Sequence, residues 1–287
     1  MHAHTERILR ELKRARVELQ GIARTTLPWA IRAIGRIEAR LSRPLRAAIV
    51  GEFNSGKSSL ANLLVGIESL PTAVVSSTRI PTLLYHALRP EVWATHHDGR
   101  REQLHAAKEA RAQSIIQLEV GLPSARLREM EILDLPGLAN PRFEHRLCDL
   151  FLQNVDIVLW CTASIQAWKE SERAAWDRVP ARLRDRALLV VTHGDLVHEA
   201  TDQRKLLRRL QKDAVSFRDV VLISTNEALA SMRQERKASN SPALEASGAN
   251  ALDSALAKLL LSVREDRTKA AIAVTRRIAQ VALSRLE

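Results

Sequence analysis

The octet Gly51-Glu52-Phe53-Asn54-Ser55-Gly56-Lys57-Ser58 matches the pattern G-x-x-x-x-G-K-S, whose chemistry is that of a phosphate grip. Glycines at both ends let a loop curl until successive backbone N–H groups point inward at a β-phosphate. Lys57 then reaches the β- and γ-phosphates, the Ser58 hydroxyl is a ligand for Mg²⁺, and Ser59 follows it into the helix. A second group, Ile132-Leu133-Asp134-Leu135-Pro136-Gly137, sets an acid at the end of an apolar run. Asp134 can hold Mg²⁺ through water, and Gly137 leaves room for its own N–H to approach the γ-phosphate. A third, Leu189-Val190-Val191-Thr192-His193-Gly194-Asp195, ends on a carboxylate able to accept both the N1 and N2 protons of guanine; adenine offers no such pair. Ile223-Ser224-Thr225-Asn226 closes the last apolar run and offers a backbone N–H to guanine O6. These groups together predict GTP and GDP with Mg²⁺, and disfavour ATP. One position departs from the usual Asn or Thr, Lys, any residue, Asp: His193 stands where lysine is expected. Its imidazole can stack on a base but has too short a reach to brace the phosphate loop, which predicts weakened affinity.

The elements that must carry these groups follow from apolar patterning. Leu45–Val50 reads as a buried strand feeding the loop, and Leu60, Leu63 and Leu64 as a helix after it. Further strands are predicted near 80–87, 115–120, 129–133 and 157–161, the second and third of these pairing as a hairpin around Leu122-Pro123-Ser124. Ala187–Thr192 and Val220–Ser224 are two more, each preceded by a charged helical segment. Strands alternating with helices argue a mostly parallel sheet covered on both faces. Residues 5–43 read as helix broken near Thr26-Leu27-Pro28, with apolar stripes at Ile8, Leu12, Ala15 and Leu19 and at Ile31, Ile34, Ile37 and Leu41. A last helix spans 251–286, and the two terminal segments are expected to pack together, since neither can leave its stripe in water. The predicted division is therefore 1–44 helical, 45–238 nucleotide-binding, 239–250 loop and 251–287 helical. The five tryptophans read as packing residues.

Bulk properties narrow the classes. The chain has 287 residues with 46% apolar content, enough for a full core. Cys148 and Cys161 adjoin apolar segments and read as buried thiols in a reducing compartment. No run of about 18 apolar residues and no apolar signal core are present, so a cytoplasmic chain without a membrane span is expected. Of the net charge of +11, the stretches 1–47 and 252–287 hold +10 between them. Arginine-rich ends of this kind are solvated helix faces, an RNA contact, or a patch for anionic membrane.

The stretch 51–62, the segment Leu70-Pro71-Thr72-Ala73-Val74-Val75-Ser76-Ser77-Thr78-Arg79, the Asp98-Gly99 pair, IIQLEVGLPSARL and EMEILDLPGL together resemble the bacterial dynamin-like GTPases over about residues 45–226. The resemblance implies an α/β, three-layer P-loop GTPase domain with a helical neck built from the N- and C-terminal segments. It implies that Thr78 is the switch threonine that binds Mg²⁺ and helps hold the attacking water, and that Asn54 and Ser55 stabilise charge on the leaving group. Small signalling GTPases place a glutamine after the second-motif glycine; here Leu138 can neither donate nor accept, so water falls to Thr78 and backbone groups. Arg79, Arg142 and Arg146 are candidate charge neutralisers. In the family the alternative is a homodimer across the nucleotide face that orders both switches, sometimes with a monovalent cation in the arginine's place. Members also carry a long stalk and a membrane-binding tip, for which about 60 residues after Asn226 leave no room. A compact member or a trimmed piece is implied, working with a larger dynamin-like partner. An RNA-associated assembly GTPase and a nucleotide-binding scaffold with little turnover are the competing readings.

Overall fold

Nine strands join into one sheet in the order β4-β3-β5-β2-β6-β1-β7-β8-β9. The strands are β1 (Leu45–Gly51), β2 (Thr82–His86), β3 (Glu91–His96), β4 (Arg101–Leu104), β5 (Ile115–Leu122), β6 (Met130–Asp134), β7 (Ile157–Ala163), β8 (Ala187–Thr192) and β9 (Asp219–Leu222). The structure is a computed structural model and describes residues 2–22, 27–66, 80–104, 114–138, 151–234 and 242–284. The half containing β6, β1, β7, β8 and β9 is parallel throughout, with Ala48 opposite both Leu133 and Val158. Those strands are near-continuous apolar runs because both of their faces are covered. Ala48, Val50, Val158, Trp160, Leu189 and Val191 lie in one core cluster, while Ala47, Ile49, Leu159 and Leu188 alternate with them and are equally buried.

The predicted α/β architecture with a mostly parallel sheet is therefore the one observed, with two corrections on its far side. Ile115–Leu122 and Met130–Asp134 do not form a hairpin: β2 lies between them, parallel to β5 and antiparallel to β6. A helical turn, Ala125–Glu129, carries the chain across. Around Asp98-Gly99 the chain also makes a hairpin that apolar periodicity did not reveal, β3 with β4. Of its strands, β4 is short, polar and at the sheet margin, while β3 pairs with β5 on its other side; its turn signal is Gly99 at φ 80 with the Arg100 N–H donating to the Asp98 carboxylate.

Among the described residues the α-helices are α1 (His2–Ile22), α2 (Pro28–Ser42), α3 (Lys57–Val65), α4 (Ala125–Glu129), α5 (Glu170–Trp176), α6 (Ala181–Arg184), α7 (Ala200–Asp213), α8 (Thr225–Gln234), α9 (Pro242–Ala246) and α10 (Ala249–Leu283). The tract read as a loop before the last helix thus holds the turn α9, and α10 starts two residues early. The chain divides into two units, residues 45–260 and residues 1–44 with 261–287. Within the second, Ile8, Leu12, Leu27, Ala30, Ile34, Leu41, Ala271, Ile278 and Ala282 form one core, so the terminal helices do pack together along the predicted stripes. Among the described residues no helix is long and apolar enough to cross a membrane. Of the tryptophans, Trp160, Trp168 and Trp176 are buried with Phe217, Trp176 stacked on Phe217 at 4.1 Å.

Candidate functional site

The candidate site lies where β1, β6, β7 and β8 end. Gly51 closes β1 against β7 so tightly that a Cβ there would sit 2.3 Å from the Cys161 carbonyl oxygen. Residues 52–56 turn back over the strand ends. Asn54 (φ 59) and Gly56 (φ 76) occupy the left-handed region, which brings the N–H groups that open α3 round toward the cleft. From the other side Gly137 approaches the loop backbone; a Cβ on it would meet Phe53 N at 3.0 Å. The Leu138 N–H donates to the Gly51 carbonyl at 3.2 Å, while the Leu138 side chain packs on the core beneath.

Between these walls is a cleft of ≈ 360 Å³ lined by Phe53 through Ser59, Ile80, Asp134 through Gly137, and His193. Lys57 is 9% exposed, and its ammonium donates to the Glu52 carbonyl at 2.6 Å. Burial lowers its pKa, against the charges of Asp134 and Glu52. Ser58 Oγ donates to Asp134 Oδ2 at 3.4 Å. The other oxygen, Asp134 Oδ1, is buried without a hydrogen-bond partner among the described residues. Burial pushes this carboxyl up to about 6, although Lys57 and Ser58 pull it down. A buried acceptor left open beside a serine hydroxyl is a donor set suited to a hard, oxygen-seeking cation. Ser55 is turned inward, its hydroxyl donating to the Glu52 carbonyl at 2.8 Å.

The segment Thr192-His193-Gly194-Asp195 is tied directly to this loop. Thr192 is fully buried; its hydroxyl donates to the Ser55 carbonyl at 2.9 Å, and its side chain lies 3.1 Å from where a Gly56 Cβ would be. The bracing expected of a lysine thus comes from Thr192, a role the sequence pattern did not disclose. His193, at φ 56, has Nδ1 2.9 Å from the Thr192 hydroxyl and lines the cleft described above. Gly194 packs against the Ile223 and Ser224 backbone, and the Ser224 hydroxyl donates to Asp195 Oδ1 at 3.0 Å. Thr225, buried, begins α8. Asp195 and Ser224 are thereby brought together, but they line a neighbouring cavity of ≈ 460 Å³ with Gln203, Glu227, Ser247 and Gly248. Thr78, Arg79, Arg142, Arg146 and Cys148 lie outside the described residues. Cys161 is a buried free thiol, raised by burial.

This arrangement agrees with what comparison finds. The family model described as "Dynamin family" matches residues 47–194, from the first strand through the phosphate loop and Asp134 to Gly194. The chain belongs to the dynamin family. It is 36% identical to the isoniazid-induced protein IniC of Mycobacterium tuberculosis over 116 residues, 37% of this chain and 24% of that protein. To the dynamin-like protein 2 of Campylobacter jejuni it is 28% identical over 202 residues, 66% of this chain and 32% of that one. This dynamin-family chain therefore matches about a quarter to a third of the length of these relatives. A solved bacterial dynamin pair, described as sensing and tethering membranes, superposes with TM-score 0.61 at 20% identity, over 84% of this chain and 38% of that one. LeoA, a bacterial dynamin GTPase from ETEC, gives 0.56 at 16% over 97% of this chain and 48% of its own. With these two solved structures the chain shares its fold.

Proposed function

We propose that this chain binds and hydrolyses GTP, and that pairing of two GTPase domains across their nucleotides drives hydrolysis and movement of a helical neck made by residues 1–44 and the last helix. The observation that carries the nucleotide reading is the convergence of Lys57, Ser58 and Asp134, with one carboxylate oxygen open, on a cleft walled by Gly56 and Gly137. On this reading the N–H groups of Gly56–Ser59 and Lys57 bind the phosphates, and Gly51 and Gly137 allow the walls to close on them. Ser58, Asp134 and Thr78 would hold Mg²⁺, which when bound neutralises charge on the β- and γ-phosphates. Thr78 with backbone groups would orient water, the Asn54–Ser55 stretch of the loop would stabilise charge on the leaving group, and Asp195, steadied by Ser224, would read guanine, with Thr192, His193 and Thr225 supporting the segments that carry it.

The pairing rests on a separate feature. Phe53, Ile165 and Leu196 are 67%, 72% and 48% exposed, and each follows the C-terminal end of a neighbouring parallel strand, β1, β7 or β8. Large apolar side chains gathered at the edge that holds the nucleotide suit contact with a second copy. The resemblance to paired, membrane-tethering dynamins adds that a larger relative and an anionic membrane surface are the partners in view. Turnover per molecule should rise as protein concentration is raised a hundredfold, and calorimetry with Mg²⁺ should find GTP held more tightly than ATP. A flat rate with normal GTP binding removes the pairing; equal affinity for ATP removes the assignment of the base.

A further inference from the structure

Glu52 is used twice, and only one use belongs to the phosphate motif. Its backbone carbonyl receives the Lys57 ammonium. Its side chain, 19% exposed, points the other way: Oε2 is 2.6 Å from Lys169 Nζ, and Oε1 accepts the Ser171 hydroxyl at 2.6 Å. Both carboxylate oxygens are thus engaged by residues more than a hundred positions away. Burial raises the Glu52 pKa, but the bonds from Lys169 and Ser171 and the charges of Lys169 and Lys57 leave it net lowered.

The bracket offering those two donors is unusually constrained. Trp168 adopts φ 61, a conformation that bulky residues rarely take. Such strain persists only where the surroundings over-determine it. Here they do. The Trp168 N–H donates to Thr162 Oγ1 at 3.0 Å, its indole to the Asp213 carbonyl at 3.3 Å, and its own carbonyl accepts Arg173 Nε at 3.2 Å. The ring stands edge-on to Trp160, Trp176 and Phe217. Glu172, 2% exposed, accepts both the Thr162 hydroxyl and the Lys169 N–H. An ordinary surface ion pair contributes little because both partners move. Here the backbone on both sides is held, at Trp168 by the core and at Glu52 by the loop itself.

We propose that Lys169 and Ser171 are positioning residues for phosphoryl transfer: by gripping the Glu52 carboxylate they fix the Glu52 peptide, whose carbonyl sets the reach of Lys57. The inference rests on the GTPase reading above. Because Lys57 has three donors, it can keep the Glu52 carbonyl while meeting the phosphates, so the latch acts on aim more than on ground-state binding. In Lys169→Met, kcat for GTP should fall about tenfold while the Kd of a non-hydrolysable GTP analogue changes less than about threefold. Lys169→Arg should recover most of the rate, and Ser171→Ala should show a smaller loss of the same kind. The double variant Glu52→Gln/Lys169→Met should lose no more than Glu52→Gln alone, since the two groups act through one another. The latch is overturned if Lys169→Met turns over GTP like the wild type, if rate and analogue affinity fall together in step with melting temperature, or if arginine fails to restore the rate. A wild type without turnover would overturn the GTPase reading and the latch together; an active wild type indifferent to Lys169 removes the latch alone.

Discussion

On the proposed reading, the phosphate end and the base end of the nucleotide site are built on different plans. At the phosphate end, one contiguous loop carries the backbone donors and the buried lysine, and residues on β7 and β8 and in the segment after β7 lock it in place. The Gly51 wall leaves no room for a side chain beside Cys161, Thr192 holds the Ser55 carbonyl, and Glu52 is clasped by Lys169 and Ser171. At the base end a single carboxylate, Asp195, is steadied by a single hydroxyl, Ser224, borrowed from the end of another strand. The first plan gives charge neutralisation that depends little on which nucleotide is present. The second would give discrimination with little binding strength. Affinity and identity are therefore separable by mutation, and Lys57→Ala tests that most severely. Removing this buried cation from the cleft should lower the single-turnover rate by on the order of 10³-fold. The ratio of GTP to ATP affinity, read by calorimetry, should survive. A lost preference for GTP in Lys57→Ala would mean that the two ends are one cooperative unit.

The same difference explains what could be read from the chain directly. Gly51, Gly56, Lys57, Ser58, Asp134 and Gly137 announce themselves because their chemistry depends on spacing within short segments at strand ends. The inner parallel strands are equally plain, since burial on both faces leaves long apolar runs such as Ile157–Cys161. Strand order is another matter. Nothing local in Leu122-Pro123-Ser124 says that β2 will slot between the strands on either side, because that depends on backbone pairing across the sheet. The β3–β4 hairpin hid behind the opposite problem: with margin strands such as Arg101–Leu104 mostly exposed, no apolar alternation is required. Thr192 as the brace and Lys169 as the clasp are long-range contacts, and polar residues in loops give no sign of their partners.

A sharper cut falls at the base end. Asp195→Asn replaces one acceptor by an amide donor facing the guanine N1–H and N2–H groups. A hydrogen bond to a charged group is worth about 1.5–3 kcal/mol, so GTP affinity should fall by roughly 10²-fold while ATP affinity stays where it was. Xanthosine triphosphate, which presents a carbonyl in place of the 2-amino group, should gain. Turnover at saturating nucleotide should be nearly intact, because Asp195 contacts neither Lys57 nor Asp134. If Asp195→Asn cannot turn over even at saturation, the base end positions the phosphates as well.

The smallest effect concerns what stands behind the phosphate end. Glu172 is buried under the bracket that presents Lys169, and burial raises its carboxyl above the ordinary value of 4.5 even though Thr162 and the Lys169 and Trp168 amides donate toward it. The folded protein therefore binds this proton more tightly than the unfolded chain. Stability from it is complete below the unfolded value and is lost as pH climbs through the raised one. Glutamine keeps an acceptor for the Thr162 hydroxyl and the Lys169 N–H but cannot ionise. Melting temperatures of Glu172→Gln and wild type should accordingly lie close together in mild acid and separate toward neutrality, with the variant becoming relatively more stable. A Glu172→Gln difference that stays constant across pH would mean the carboxyl is solvated in the folded protein, leaving the bracket no more rigid than the end it was contrasted with.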